Sequence, residues 1–159
     1  MKALVIYESV FGNTEKVAQA IGAGLGAPEE VSVVRIGDAR PEQVAGLDVL
    51  VVGSPTRAFR PMPSVSAFIK GLPSGALQGV RTAAFDTRIS PADVNSAILG
   101  FFVRIFGWAA EKIDKALARK GGRQAAAPEG FYVLGSEGPL RDGELERATA
   151  WGRRIAEAS

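Results

Sequence analysis

Short apolar runs alternate with segments of helical periodicity along this chain. Ala3 to Tyr7 is continuously apolar, which predicts a strand buried on both faces. Thr14 to Gly24 carries Val17, Ala18 and Ile21, with Leu25 next, at helical spacing. Gly22, Gly24, Gly26 and Pro28 are expected to stop that helix. Val31 to Ile36, Leu47 to Val52 and Arg81 to Phe85 read as further strands, the last ending at Asp86. Ser64 to Lys70 reads as a short helix with Val65, Phe68 and Ile69 inward. Trp108 to Lys120 reads as a helix with Ile113 and Leu117 on one face. Gln124 to Leu134 holds a fifth strand, interrupted near Pro128 to Gly130. Gly143 to Ala158 is the last helix, with Asp142 as its expected cap and Leu145, Ala148, Trp151 or Gly152, and Ile155 inward.

Alternation of continuously apolar strands with helices implies an α/β fold, an open doubly wound parallel sheet covered on both faces. No linker, repeat or low-complexity stretch divides the sequence, so residues 1–159 are expected to form one domain. An insertion interrupts the pattern at about residues 89–106. Ser90-Pro91-Ala92-Asp93 has the composition of a helix start. Val94, Ala97, Ile98, Phe101, Phe102 and Ile105 follow at helical spacing, and Phe106 and Trp108 extend the apolar surface. This extra apolar helix after strand four is a lid, a homodimer or partner surface spanning 91–108, or packing on the domain edge.

Composition narrows the chemistry. The 159 residues include no cysteine and no histidine, which removes disulfides, thiolate catalysis and the commonest general base. Chemistry is left to carboxylates, hydroxyls, backbone dipoles or a cofactor. The formal net charge is +2, and no basic run reads as a nucleic-acid patch. No apolar run reaches the length of a membrane span, and no secretory pattern is present, so a cytoplasmic location is expected.

The strongest chemical signal lies between the first strand and the first helix, in Glu8 to Glu15. The carboxyl end of a strand in an open parallel sheet is where ligands bind. Backbone N–H groups opening a helix favour an anion. Ser9 and Thr14 add hydroxyls, Asn13 an amide, and Gly12 lets the backbone of Val10 and Phe11 curl around a phosphate. The bland alternative is that Ser9 and Asn13 only cap the helix. A second glycine cluster, Gly22 to Ala27, fits G-x-G-x-x-A, but it closes a helix instead of following a strand, so it is not read as a dinucleotide site.

These features resemble the flavodoxin family over nearly the whole chain. Ser9, Gly12 and Thr14 match that family's phosphate loop, and Phe11 stands where a third hydroxyl is usual. Phe11 followed by Gly-Asn-Thr-Glu-Lys looks like the flavodoxin domains of flavodiiron proteins. Gly53 to Thr56, followed by Pro61 to Ser64, resembles the first flavin-flanking loop. Asp86-Thr87-Arg88 stands where the second begins, and Gly107 to Ile113 resembles the entry to the next helix. The fifth strand lacks the insertion of long-chain members, which makes this the short-chain type.

The resemblance implies a flavodoxin-like five-stranded sheet of order 2-1-3-4-5 and FMN as cofactor. It puts the phosphate on Ser9, Val10, Phe11, Gly12, Asn13 and Thr14. The isoalloxazine ring then lies between Pro55, Thr56, Arg57, Ala58 and Phe59 on one side and Asp86, Thr87 and Arg88 on the other. The carbonyl of Arg57 or Ala58 would face the flavin N5. Three functions stay open: an electron carrier between protein partners, an NAD(P)H:quinone-type reductase, and a binding module that has lost FMN. Arg57, Arg60 and Arg88 suggest an acidic redox partner or an anionic small-molecule acceptor, or simply solvate the surface.

Overall fold

The computed structural model describes residues 1–57, 60–90, 97–98, 101 and 107–158. Six strands form one sheet: β1 (Ala3–Tyr7), β2 (Val31–Arg35), β3 (Val49–Pro55), β4 (Arg81–Ile89), β5 (Arg123–Gln124) and β6 (Glu129–Val133). Every ladder between them is parallel, in the order β2-β1-β3-β4-β5, with β6 also on β4. β5 pairs with the start of β4 and β6 with its end. Together they are the expected fifth strand, broken over residues 125–128 with no inserted segment between them.

Alternate side chains leave opposite faces of a strand. Val5 and Tyr7, Val49 and Val51, and Ala83 and Phe85 enter one core with helices α1 (Asn13–Leu25) and α4 (Glu144–Glu157). Leu4 and Ile6, Leu50 and Val52, and Ala84 enter the other with α2 (Pro63–Lys70) and α3 (Ala109–Arg119). Burial on both faces is why these strands read as unbroken apolar runs. Each fully buried large aliphatic contributes about 1.5–3 kcal/mol. Phe85, Phe131 and Trp151 meet edge to face, with ring centroids 6.0–6.4 Å apart, and so join β4, β6 and α4.

Four expectations need correction. The α1 helix does not stop at Gly22 or Gly24 but runs through both to Leu25. A Cβ on Gly24 would lie 2.1 Å from the Thr149 carbonyl oxygen, and one on Gly152 would lie 2.4 Å from that of Ile21. Gly24 and Gly152 let α1 and α4 approach backbone to backbone, while Gly22 makes room for Val33 of β2, where a Cβ would meet Cγ2 at 2.6 Å. Asp142 does not cap α4: Gly143, at φ 87°, holds that position, and no side chain bonds the helix start. Leu145 is 40% exposed, and Glu144 is buried in its place. Its carboxylate accepts from Tyr132 N–H at 2.7 Å and from the Arg147 guanidinium at 2.9 and 2.7 Å. Finally, β4 does not end at Phe85, because Asp86, Thr87 and Arg88 continue it to Ile89.

Of the inserted segment, Ala97, Ile98 and Phe101 are helical and exposed. The rest of that expected helix, including Val94, Phe102 and Ile105, lies outside the described residues. Among the described residues no helix is long and apolar enough to cross a membrane.

Candidate functional site

The carboxyl ends of β1, β3, β4 and β6 open on one edge of the sheet. A cavity of about 280 Å³ lies there. Val10, Phe11, Asn13 and Thr14 line it from the first turn, Pro55, Thr56 and Arg57 from the end of β3, and Thr87, Arg88 and Ile89 from β4. Val133 and Ser136 close it from the end of β6.

The first turn is built by short-range chemistry. Ser9 is buried, and its hydroxyl accepts from Gly12 N–H at 3.1 Å. Gly12 takes φ 92°, a left-handed conformation that glycine adopts without strain, and starts α1. No side chain caps the helix. Lys16 N–H donates to Gly12 O at 3.2 Å. The amides of Asn13, Thr14 and Glu15 therefore come before any intrahelical acceptor, and they carry the positive end of the helix dipole. The Thr14 hydroxyl is buried 2.8 Å from that of Thr87 across the sheet edge. Asn13 Nδ2 donates to Glu137 O at 3.0 Å, which ties the β6 exit to the turn. Two acids stand near the turn, Glu15 in the first turn of α1 and Glu8. The Glu8 carboxylate is paired with Arg35 at 3.1 Å, and the Arg35 guanidinium also donates to the Ser9 carbonyl.

The second wall is held from inside. Ser54 Oγ accepts from Met62 N–H and donates to Pro55 O, both at 2.8 Å, closing the loop between β3 and α2. Arg57 and Arg60 exchange two backbone hydrogen bonds of 2.9 Å. The Arg57 carbonyl accepts from Arg60 N–H within the loop.

Asp86 is fully buried. Arg88 donates to it at 2.6 and 2.8 Å, and Ala110 N–H at 2.9 Å. Burial pushes its carboxyl above the usual carboxylate range, against the opposing pull of Arg88, Ala110 and Thr56. Thr56 Oγ1 accepts from Ala109 N–H at 3.2 Å. Thr56 and Asp86 together bond the opening amides of α3, a helix whose own N-cap residue, Trp108, supplies no side-chain bond. The Arg88 guanidinium lies 4.3 Å over the Trp108 ring.

The structure brings nine of the expected residues to one cavity: Val10, Phe11, Asn13, Thr14, Pro55, Thr56, Arg57, Thr87 and Arg88. Ser9 and Gly12 shape the turn behind it, and Asp86 lies beneath Arg88. Ala58 and Phe59 lie outside the described residues. Sequence reasoning missed Ile89, Val133 and Ser136. The Gly-Ser-Glu-Gly segment after β6 was the available signal for the last of these, because it too leaves a strand at its carboxyl end.

The sequence profile described as Flavodoxin matches residues 5–151. This chain belongs to the flavodoxin family. A curated relative, the flavodoxin of Aquifex aeolicus (strain VF5), is 27% identical over 169 residues, covering 98% of this chain and 85% of that protein. A flavodoxin from the domain Archaea superposes with TM-score 0.74 at 23% identity, covering 99% of this chain and 97% of the other. Oxidised flavodoxin 1 from Bacillus cereus superposes with TM-score 0.76 at 18% identity, covering 99% and 98%. Flavodoxins bind FMN and transfer electrons, so FMN is the cofactor expected in this cavity. The fit is good at the phosphate end. Open amides, a left-handed glycine and a buried hydroxyl suit a dianion, and Glu8 beside the turn is paired with Arg35.

Proposed function

We propose that this flavodoxin holds the FMN phosphate on the turn from Ser9 to Thr14, with the ring between the Thr56–Met62 loop and the end of β4. It then acts as an electron carrier between protein partners. The uncapped start of α1, opening into the cavity beside the Thr14 hydroxyl, is the observation that carries this reading. Thr14 would donate to a phosphate oxygen while accepting from Thr87, because a hydroxyl donates once and accepts twice. The amides of Asn13, Thr14 and Glu15 would supply the remaining donors. Bound FMN supplies the electron chemistry, and the protein's residues set where it sits and at what potential.

Arg57 gives the cavity wall positive charge, and the guanidinium of Arg88 faces the same cavity from its pair with Asp86. That charge favours an anionic reduced flavin and raises its potential. Arg88 cannot swing away freely, since Asp86 grips it from below and Trp108 stacks on it. Exposed Phe11 and Val10 stand at the mouth, where they offer apolar surface without filling the turn.

The test is an absorption spectrum of the purified protein, FMN titration of the apoprotein, and stepwise photoreduction. Submicromolar FMN binding with a long-lived one-electron-reduced form is expected. Rapid NAD(P)H oxidation with a quinone and no protein partner would instead favour a reductase. Apoprotein that takes up no FMN would leave a binding module.

A further inference from the structure

A second and larger cavity, about 910 Å³, is a groove between α2 and α3. We propose that this groove docks an acidic segment of a protein redox partner, a reading that rests on the carrier function above. Its charge is one-sided. Arg60, Lys70, Lys112, Arg119 and Lys120 line it, and no carboxylate does so among the described residues. The α3 positions 112, 113, 116, 119 and 120 form one helical stripe, which places cations beside apolar Ile113 and Ala116.

Asp114 on α3 accepts from the Gln124 side-chain amide Nε2 at 2.8 Å, and the Glu111 carboxylate lies against Gly107. Lys120 is fixed in place, since its Nζ donates to the carbonyls of Lys70 at 3.1 Å and Leu72 at 2.6 Å. Burial and then the charge of Arg60 lower the Lys112 pKa, against an opposing pull from Glu111.

The spread of the charge selects the occupant. A small dianion needs donors that converge on one point. Here the cations from Lys112 to Lys120, along α3 and its C-cap, extend over roughly 12 Å, with apolar surface between them. That suits carboxylates spaced along a polypeptide. The position also suits electron transfer. Arg60 at the groove is bonded through its backbone to Arg57 at the first cavity, so one loop walls both. A segment lying in the groove would bring its protein to the edge where the flavin is expected. Complementary charge would speed that encounter and orient it.

The probe is a fluorescein-labelled Glu-Glu-Leu repeat peptide, with a Lys-Lys-Leu repeat of equal length as control, added to the full FMN-loaded chain. Fluorescence anisotropy should show binding of the acidic peptide alone, weakening as salt rises. Lys112→Glu/Arg119→Glu should weaken it at least tenfold. Arg153→Glu/Arg154→Glu, an equal change in net charge on α4, should weaken it less than twofold. Flavin fluorescence should give the same FMN affinity in both variants. If the first variant folds poorly, Lys112→Gln/Arg119→Gln should still weaken the peptide severalfold. No binding by the wild type, equal losses in the two charge-reversed variants, or displacement of the peptide by equimolar pyrophosphate would each overturn the assignment. A wild type that binds the peptide but never FMN would keep the groove and reject the carrier.

Discussion

Thr14 and Thr87 allow the cofactor role of a hydroxyl to be separated from its structural role. Their oxygens are 2.8 Å apart, and both residues are buried. Replacing Thr14 by Val removes one partner and leaves the Thr87 hydroxyl unmatched, at a cost of about 1–3 kcal/mol. The low end applies, because Thr87 also lines the cavity, where water can reach it. Replacing both by Val removes the pair together and should leave stability near that of the wild type. FMN affinity should behave differently. A hydroxyl bonded to a charged oxygen contributes about 1.5–3 kcal/mol, which raises Kd roughly tenfold to 150-fold when it is lost. Thr14→Val and Thr14→Val/Thr87→Val should both show that loss, and Thr87→Val a smaller one through poorer orientation of Thr14. Urea unfolding of the apoproteins reads the first effect, and flavin fluorescence titration the second. A double variant that binds FMN within twofold of the wild type would refute the phosphate role of Thr14. So would losses of affinity that merely follow losses of stability.

Three further outcomes follow from contacts outside that turn. Gly24→Ala should destabilise by about 1–3 kcal/mol, since its Cβ meets the Thr149 carbonyl at 2.1 Å; a Tm unchanged in calorimetry would contradict the close α1–α4 seam. Burial pushes the Glu144 carboxyl up, but Arg147, the Tyr132 amide and Arg141 outweigh it and hold the pKa below 4.5. Its folded value is thus depressed, so the stability it contributes is present above pH 4.5 and is lost as pH falls through the folded value. Glu144→Gln should cost about 1.5 kcal/mol at neutral pH, near the low end for a charged hydrogen bond given the partial exposure of Arg147, and the gap from wild type should close in acid urea titrations. Arg88→Met should lower the FMN reduction potential in spectroelectrochemistry and, by leaving Asp86 buried without its cation, destabilise by about 3–5 kcal/mol. Adding Asp86→Asn should recover part of that stability and, by removing the unpaired buried carboxylate, part of the potential as well.

The sheet was readable because its determinants are local. β1 and β3 are buried on both faces, so their apolar runs are unbroken, and alternation with helices then implies parallel order. Errors fell where a residue type has two uses that only distant contacts separate. Glycine ends helices and also admits a neighbouring backbone, and at Gly24 the reason is Thr149 on another helix. A charged residue usually marks the end of a buried strand, but Asp86 lies inside β4 because Arg88, Ala110 and Thr56 satisfy it there.

The site divides in the same way. The phosphate end we propose is six consecutive residues, Ser9 to Thr14, whose chemistry is that of one turn and one helix start. Thr14 nevertheless has a second partner, Thr87, at a separation of 73 residues. The groove is assembled wholly at a distance. Arg60 and Lys70 come from one part of the chain and Lys112, Arg119 and Lys120 from another, and in sequence they are ordinary surface cations. Their meaning comes from the packing of α2 beside α3, which gathers positive charge on one wall while Asp114 bonds Gln124. A formal charge of +2 averaged over the chain hides that separation. A partner senses the local field within about a Debye length, roughly 8–10 Å, so the groove and not the average decides which surface it meets first.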